Sequence, residues 1–266
     1  MTNSYTFHKG ELPLLVSVPH DGRQLSSDMQ DMMSEAGKSL PDTDWHVAKL
    51  YEFVKDLGAS LVTANYSRYV VDLNRPADDS ALYEGQVATG LCPLRTFDGE
   101  EIYAGEVTID TEHRINTYWR PYHEKIEATL VELCATFGYA LLWDAHSITS
   151  RVPSLFEGEL PILNIGTWDG RSCSQTISDA VVQAATSSQY DAVLNARFKG
   201  GFITRHFGRP DKNVHAIQLE IAQRAYMDEE TTDYDLEKAP HLRDSLIAML
   251  DAFINTAAGN GVIMRE

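Results

Sequence analysis

Cysteine is scarce in this chain of 266 residues: Cys92, Cys134 and Cys173 lie far apart, odd in number and with no CxxC pair. That excludes a disulfide frame and a zinc knuckle, and it predicts free thiols in a reducing compartment. No apolar run approaches the ~20 residues needed to span a bilayer. The stretch Met1-Thr-Asn-Ser-Tyr-Thr-Phe-His-Lys9 also lacks the apolar centre of a secretion signal. The expected location is cytoplasmic. Positive charge is short as well, with 22 Lys+Arg against 39 Asp+Glu and a net charge of −17. Such a field argues against nucleic acid or an anionic membrane as partner, because both are bound through clustered Lys and Arg. A small anionic substrate would be repelled too, unless arginines are gathered locally. No internal repeat or composition break is present, so residues 1–266 read as a single domain. A hydrophobic share of 43% is ordinary for a globular chain and allows a sizeable core.

What is present is organised around Tyr139-Ala-Leu-Leu-Trp-Asp-Ala-His-Ser147, an apolar run that stops at Asp144, His146 and Ser147. A run this short, with Gly138 before it, suits a buried strand of a parallel sheet. Pro13-Leu-Leu-Val-Ser-Val-Pro-His-Asp-Gly22 has the same shape and ends in His20. Further strands are expected at 59–64, 69–73, 160–165, 192–196 and 214–221. Helices are expected at 25–37, 47–57, 111–137 (with Pro121 as a kink or boundary), 174–185 and 241–257. Residues 74–108 lack periodicity and read as a functional loop. Alternation of strands and helices predicts an α/β/α layered domain.

Active sites in open α/β sheets lie outside the carboxyl ends of the strands. His20 and His146, each delivered at such an end, suggest a shared metal site, with a carboxylate as third ligand. Asp44, Asp42, Asp21 and Asp144 are all candidates: Asp44 could instead cap a helix, and Asp144 could accept from a histidine N–H. Strand alternation puts Gln218 and Glu220 on one face of 214–221, with His215 on the other. A carboxylate inside that apolar run needs a partner or a role, and a general base is one such role. Arg75, following Asn74, and Arg205 in a glycine-rich stretch are placed to fork a carboxylate.

The segments Val16-Ser-Val-Pro-His-Asp-Gly22, Asp42-Thr-Asp-Trp-His-Val47, Val71-Asp-Leu-Asn-Arg-Pro76, Asp144-Ala-His-Ser147, Gly200-Gly-Phe-Ile-Thr-Arg-His-Phe-Gly208 and Ala216-Ile-Gln-Leu-Glu-Ile221 together resemble the N-formylglutamate amidohydrolase (deformylase) family. The resemblance runs in order over nearly the whole chain. It implies a zinc-exopeptidase-like (phosphorylase/hydrolase-like) fold with a mixed sheet between helix layers. It also implies hydrolysis of N-formyl-L-glutamate to formate and L-glutamate, a late step of histidine degradation, by zinc-activated water. By further resemblance to metallocarboxypeptidases, His20 and His146 would hold zinc or another divalent metal, and Glu220 would act as base. Asn74 and Arg75 would clamp a substrate carboxylate, with Arg205 at the other one. Those enzymes carry an acidic ligand three residues after the first histidine, where this chain has Arg23, so Asp44 is expected as the third ligand. Two other readings fit the same residues: a hydrolase acting on another N-acyl amino acid or a γ-glutamyl peptide, and a non-catalytic dicarboxylate-binding protein.

Overall fold

Strands buried on both faces need helices on both sides, and the two central apolar runs are placed accordingly. The computed structural model describes residues 3–80 and 89–263. Its sheet comprises β1 (Tyr5–His8), β2 (Leu14–Val18), β3 (Ser60–Ala64), β4 (Ala140–Ile148), β5 (Leu163–Gly166), β6 (Ala192–Leu194) and β7 (Val214–Ala222), in the order β1-β3-β2-β4-β7-β5-β6. The sheet is mixed, as expected: β1 runs antiparallel to β3 and β5 antiparallel to β7, while the other pairings are parallel.

Alternation along β4 and β7 divides the core. Trp143, Ala145, Ile217, Leu219 and Ile221 face one way, against the helices Gln175–Thr186 and Lys238–Ile263. Leu142 and Ala216 face the other way, against Ile126 and Leu130 of the helix Arg120–Phe137. These are the three layers expected from the sequence. Among the described residues no helix is long and apolar enough to cross a membrane.

Several local expectations change. Residues 69–73 form turns, not a strand, although Val70 and Val71 are buried. Their β-branched side chains suit a sheet, but β1 and β2 already flank β3, so this segment cannot pair with the strand it follows. The helix expected at 25–37 is two single turns, Ser27–Gln30 and Glu35–Lys38. That expected at 47–57 is likewise Val47–Leu50 and Val54–Leu57, stopped by Gly58 at φ 91°. In the helix at 111–137, Pro121 cannot donate to the carbonyl four residues back. A π turn over Ile115–Trp119 precedes it and absorbs the mismatch. The short edge strand β1 was not anticipated. Within 74–108 the described residues carry only isolated bridges, such as Met33 to Tyr103; positions 81–88 of that expected loop lie outside the described residues.

Trp143, at the centre of β4, donates from Nε1 to the Tyr51 hydroxyl at 2.9 Å, both side chains being fully buried. Tyr51→Phe would strand that indole N–H without water. The expected cost is about 1–3 kcal/mol, read as a lowered melting temperature with the secondary structure retained.

Candidate active site and metal centre

Parallel strands β2, β4 and β7 end side by side, and their register fixes what meets there. Ser17 pairs with Asp144, Asp144 with Gln218, and His146 with Glu220. His20 follows β2 directly after Pro19, and its backbone carbonyl accepts from Asp44 N at 3.1 Å. That bond draws the turn carrying Asp44 against the strand ends. His20, Asp44 and His146 are all buried, and each offers one ligand atom within 4.8 Å of the others.

Around this group each polar atom has an assignable role. His20 Nε2 donates to Asp72 Oδ1 at 2.8 Å, and Asp72 Oδ2 accepts from Arg68 Nη2 at 2.7 Å. With its proton on Nε2, His20 presents the Nδ1 lone pair, which is buried and has no hydrogen-bond partner. This bare nitrogen lies 3.7 Å from Asp44 Oδ2. His146 Nδ1 lies 3.0 Å from the same oxygen, which also accepts from Ser147 N. On its other side, His146 Nε2 lies 3.3 Å from Asp144 Oδ2 and 2.9 Å from Asn74 Nδ2. Asp144 is steadied in turn by the hydroxyls of Ser17 and Thr204, each at 3.3 Å.

Protonation follows from this geometry. Burial lowers His20, and Arg68 adds to the effect against the pull of Asp72 and Asp44, so the imidazole stays neutral. Burial alone would raise Asp72, but Arg68 and His20 outweigh it and hold the carboxyl well below its ordinary value. In the same way His20, His146 and Arg68 outweigh burial at Asp44 and keep it ionised. Burial opposes charge on His146 as well, yet Asp144 and Asp44 hold its pKa well above the ordinary range, so a metal binding here would displace the proton on Nδ1. A neutral imidazole lone pair facing a carboxylate is unfavourable unless something electrophilic lies between them. A divalent cation answers that need and offsets the buried negative charge, so the donor set fits a metal.

Of the four carboxylates weighed from sequence, Asp44 is the one grouped with both histidines. Asp42 accepts from Tyr69 and from Phe97 N, holding the 89–108 segment down. Asp21 accepts from His46 N and Ala48 N at a helix start.

The pocket above this centre is lined by His20, Asp44, His146, Glu220, Asn74 and Arg75, six of the seven residues singled out from sequence. Glu220 is buried, and desolvation pushes its carboxyl up to about 8. Gln218 Oε1 accepts from Gly201 N at 2.6 Å, which turns its amide so that Nε2 donates to Glu220 Oε2 at 3.2 Å. Asn74 is more engaged than expected, because Oδ1 accepts from Ile203 N at 2.8 Å while Nδ2 faces His146. Arg205 does not line this pocket; its Nε donates to Gly200 O at 2.7 Å. In a six-residue helix it is turned back onto that loop, and Arg197 is in the lining instead. Arg68, Asp72 and Arg197 were missed. Asp72 stands in Val71-Asp-Leu-Asn-Arg-Pro76, a carboxylate within a short apolar run just as Glu220 is, and that pattern marks it as a residue needing a partner or a role.

The chain's similarities fall in line with this geometry. Residues 12–227 match the family model for N-formylglutamate amidohydrolase. N-formylglutamate deformylase of Pseudomonas putida is 50% identical over 233 residues, covering 86% of this chain and 87% of that one. Its counterpart in Pseudomonas aeruginosa is 49% identical over 236 residues, covering 86% and 88%. Among solved structures, N-formylglutamate amidohydrolase from Ralstonia eutropha JMP134 superposes with a TM-score of 0.81 at 26% identity, covering 96% of this chain and 99% of that one. By sequence and by fold, this chain belongs to the N-formylglutamate amidohydrolase family.

Proposed function

We propose that this chain hydrolyses N-formyl-L-glutamate to formate and L-glutamate, with a zinc ion held by His20, Asp44 and His146 and with Glu220 as general base. The observation that carries the reading is the bare His20 Nδ1, aimed at Asp44 beside the pocket that Glu220 also lines. Zinc bound there would supply Lewis acidity to the attacking water and the formyl carbonyl. Glu220, held by Gln218, takes a proton from water as its oxygen bonds to the formyl carbon. It then returns that proton to the substrate nitrogen as the C–N bond breaks, and the acidic proton of the formic acid so formed passes to the released amine, leaving formate and the ammonium group of L-glutamate. A carboxyl raised by burial is suited to both transfers near neutrality. Asp72 and Asp144 keep the imidazoles oriented. Arg75, with Asn74 beside it, holds one substrate carboxylate. The apolar wall of Phe97, Ile148, Leu155 and Phe198 receives the substrate's methylenes.

Purified protein should contain about one divalent metal per chain and release formate in a chelator-sensitive way. Metal without formate release would redirect the assignment to other N-acyl amino acids or γ-glutamyl peptides. Absence of metal, with no activity after zinc is supplied, would leave a dicarboxylate-binding protein. Glu220→Gln should keep the metal and lower kcat by about 10²–10⁴-fold; near-wild-type turnover would remove Glu220 from the base role. Asp72→Asn should weaken metal affinity by about 10–100-fold, measured by competition with a chromogenic chelator.

A further inference from the structure

Arg75 lines the pocket from a turn in which its N–H donates to Asp72 O at 3.2 Å. Pro76 follows and has no N–H to carry the pairing further. Arg75 is half-buried, and among the described residues its guanidinium has no hydrogen bond or ion pair of its own. Where that guanidinium points therefore depends on how the backbone beneath it is held. The Arg75 carbonyl accepts from Trp119 Nε1 at 2.9 Å, a bond between residues distant in the chain. One residue earlier, Asn74 O accepts from Phe202 N at 3.3 Å.

Trp119 is itself fixed before a ligand arrives. It closes the π turn Ile115–Trp119, a local helix form that recurs at functional sites. Its carbonyl accepts from His123 Nδ1 at 2.8 Å, and its ring stacks on the His123 ring with centroids 3.7 Å apart. Phe202 lies tilted beside the indole at 5.6 Å, so the ring and the Asn74-Arg75 turn share a neighbour. Trp119 is not among the described residues that line the pocket, so its indole acts on a ligand through Arg75. Resting on the proposed amidohydrolase reading, in which Arg75 holds a substrate carboxylate, we infer that Trp119 is the positioning residue for that arginine. Its N–H fixes the Arg75 peptide, and the guanidinium stays aimed into the pocket. Less order then has to be imposed when the substrate binds.

Trp119→Phe keeps a stacking ring and removes the N–H. It should raise KM for N-formyl-L-glutamate about 3–10-fold, the worth of one neutral hydrogen bond, with kcat changed by less than about twofold. The Kd of the product L-glutamate, measured by calorimetry, should rise by the same factor. In an Arg75→Gln background the same replacement should add less than about twofold, because the two residues act as one. Unchanged KM and Kd in Trp119→Phe would overturn the inference. So would an equal rise in both backgrounds, which marks a ring that only packs. If Arg75→Gln leaves KM and Kd as they were, the carboxylate role of Arg75 and the inference fall together. A second measurement needs no variant to fold. The Trp119 indole N–H resonance of the wild type, assigned through its nuclear Overhauser contacts with the His123 ring, should shift as L-glutamate saturates the site. An unmoved resonance counts equally against the inference. A protein that releases no formate, yet loses glutamate affinity in Trp119→Phe only while Arg75 is present, would keep Trp119 in its role and sink the amidohydrolase reading alone.

Discussion

Asp72 accepts from His20 with one oxygen and from Arg68 with the other, and the chemistry of the centre depends on that double use. A buried carboxylate is stable only when its charge is met. Arg68 meets it, which lets Asp72 stay ionised and hold the His20 proton on Nε2. The opposite nitrogen is then left bare, facing Asp44. Without Arg68 the carboxyl would lose the largest charge that offsets its burial, and its hold on the His20 proton would weaken. On the other histidine Asp144 plays the corresponding part, steadied by two neutral hydroxyls in place of a guanidinium.

The fold delivers these groups through strand register. Because β4 and β7 run parallel and in step, Asp144 lies beside Gln218 and His146 beside Glu220, all on one face. The other face of the same strands carries Trp143, Ala145, Ile217, Leu219 and Ile221, packed under two helices. A slip of one residue would exchange the two faces, burying the carboxylates in the apolar layer. The large cost of that exchange makes the register of the polar face as secure as the core itself.

Much of this was legible in the sequence because it is periodic. The apolar runs at 13–22, 139–147 and 214–221 became β2, β4 and β7, and the polar residues interrupting them became the site. Short helical turns were less legible: a spacing that fits one long helix at 47–57 fits two single turns equally well. Val70 and Val71 carry the propensity of a strand, but whether they can pair beside β3 is decided by β1 and β2, far away in sequence. The same holds for the arginines. Nothing local separates Arg197 from Arg205, since both stand near glycine-rich loops and only the path of the chain puts one in the pocket.

Strand order in space departs from order in the chain, because β7 sits between β4 and β5 although it follows both. Until a ribosome has delivered residue 222, the slot beside β4 has no occupant. The growing chain then exposes the unpaired backbone of β4 with its tryptophan-bearing apolar face, a template for strands of neighbouring chains. Arrival of β7 closes that edge and sets Glu220 beside His146 in one event. The apolar face of β4 is covered later still, when the helix Lys238–Ile263 brings Phe253 against Trp143.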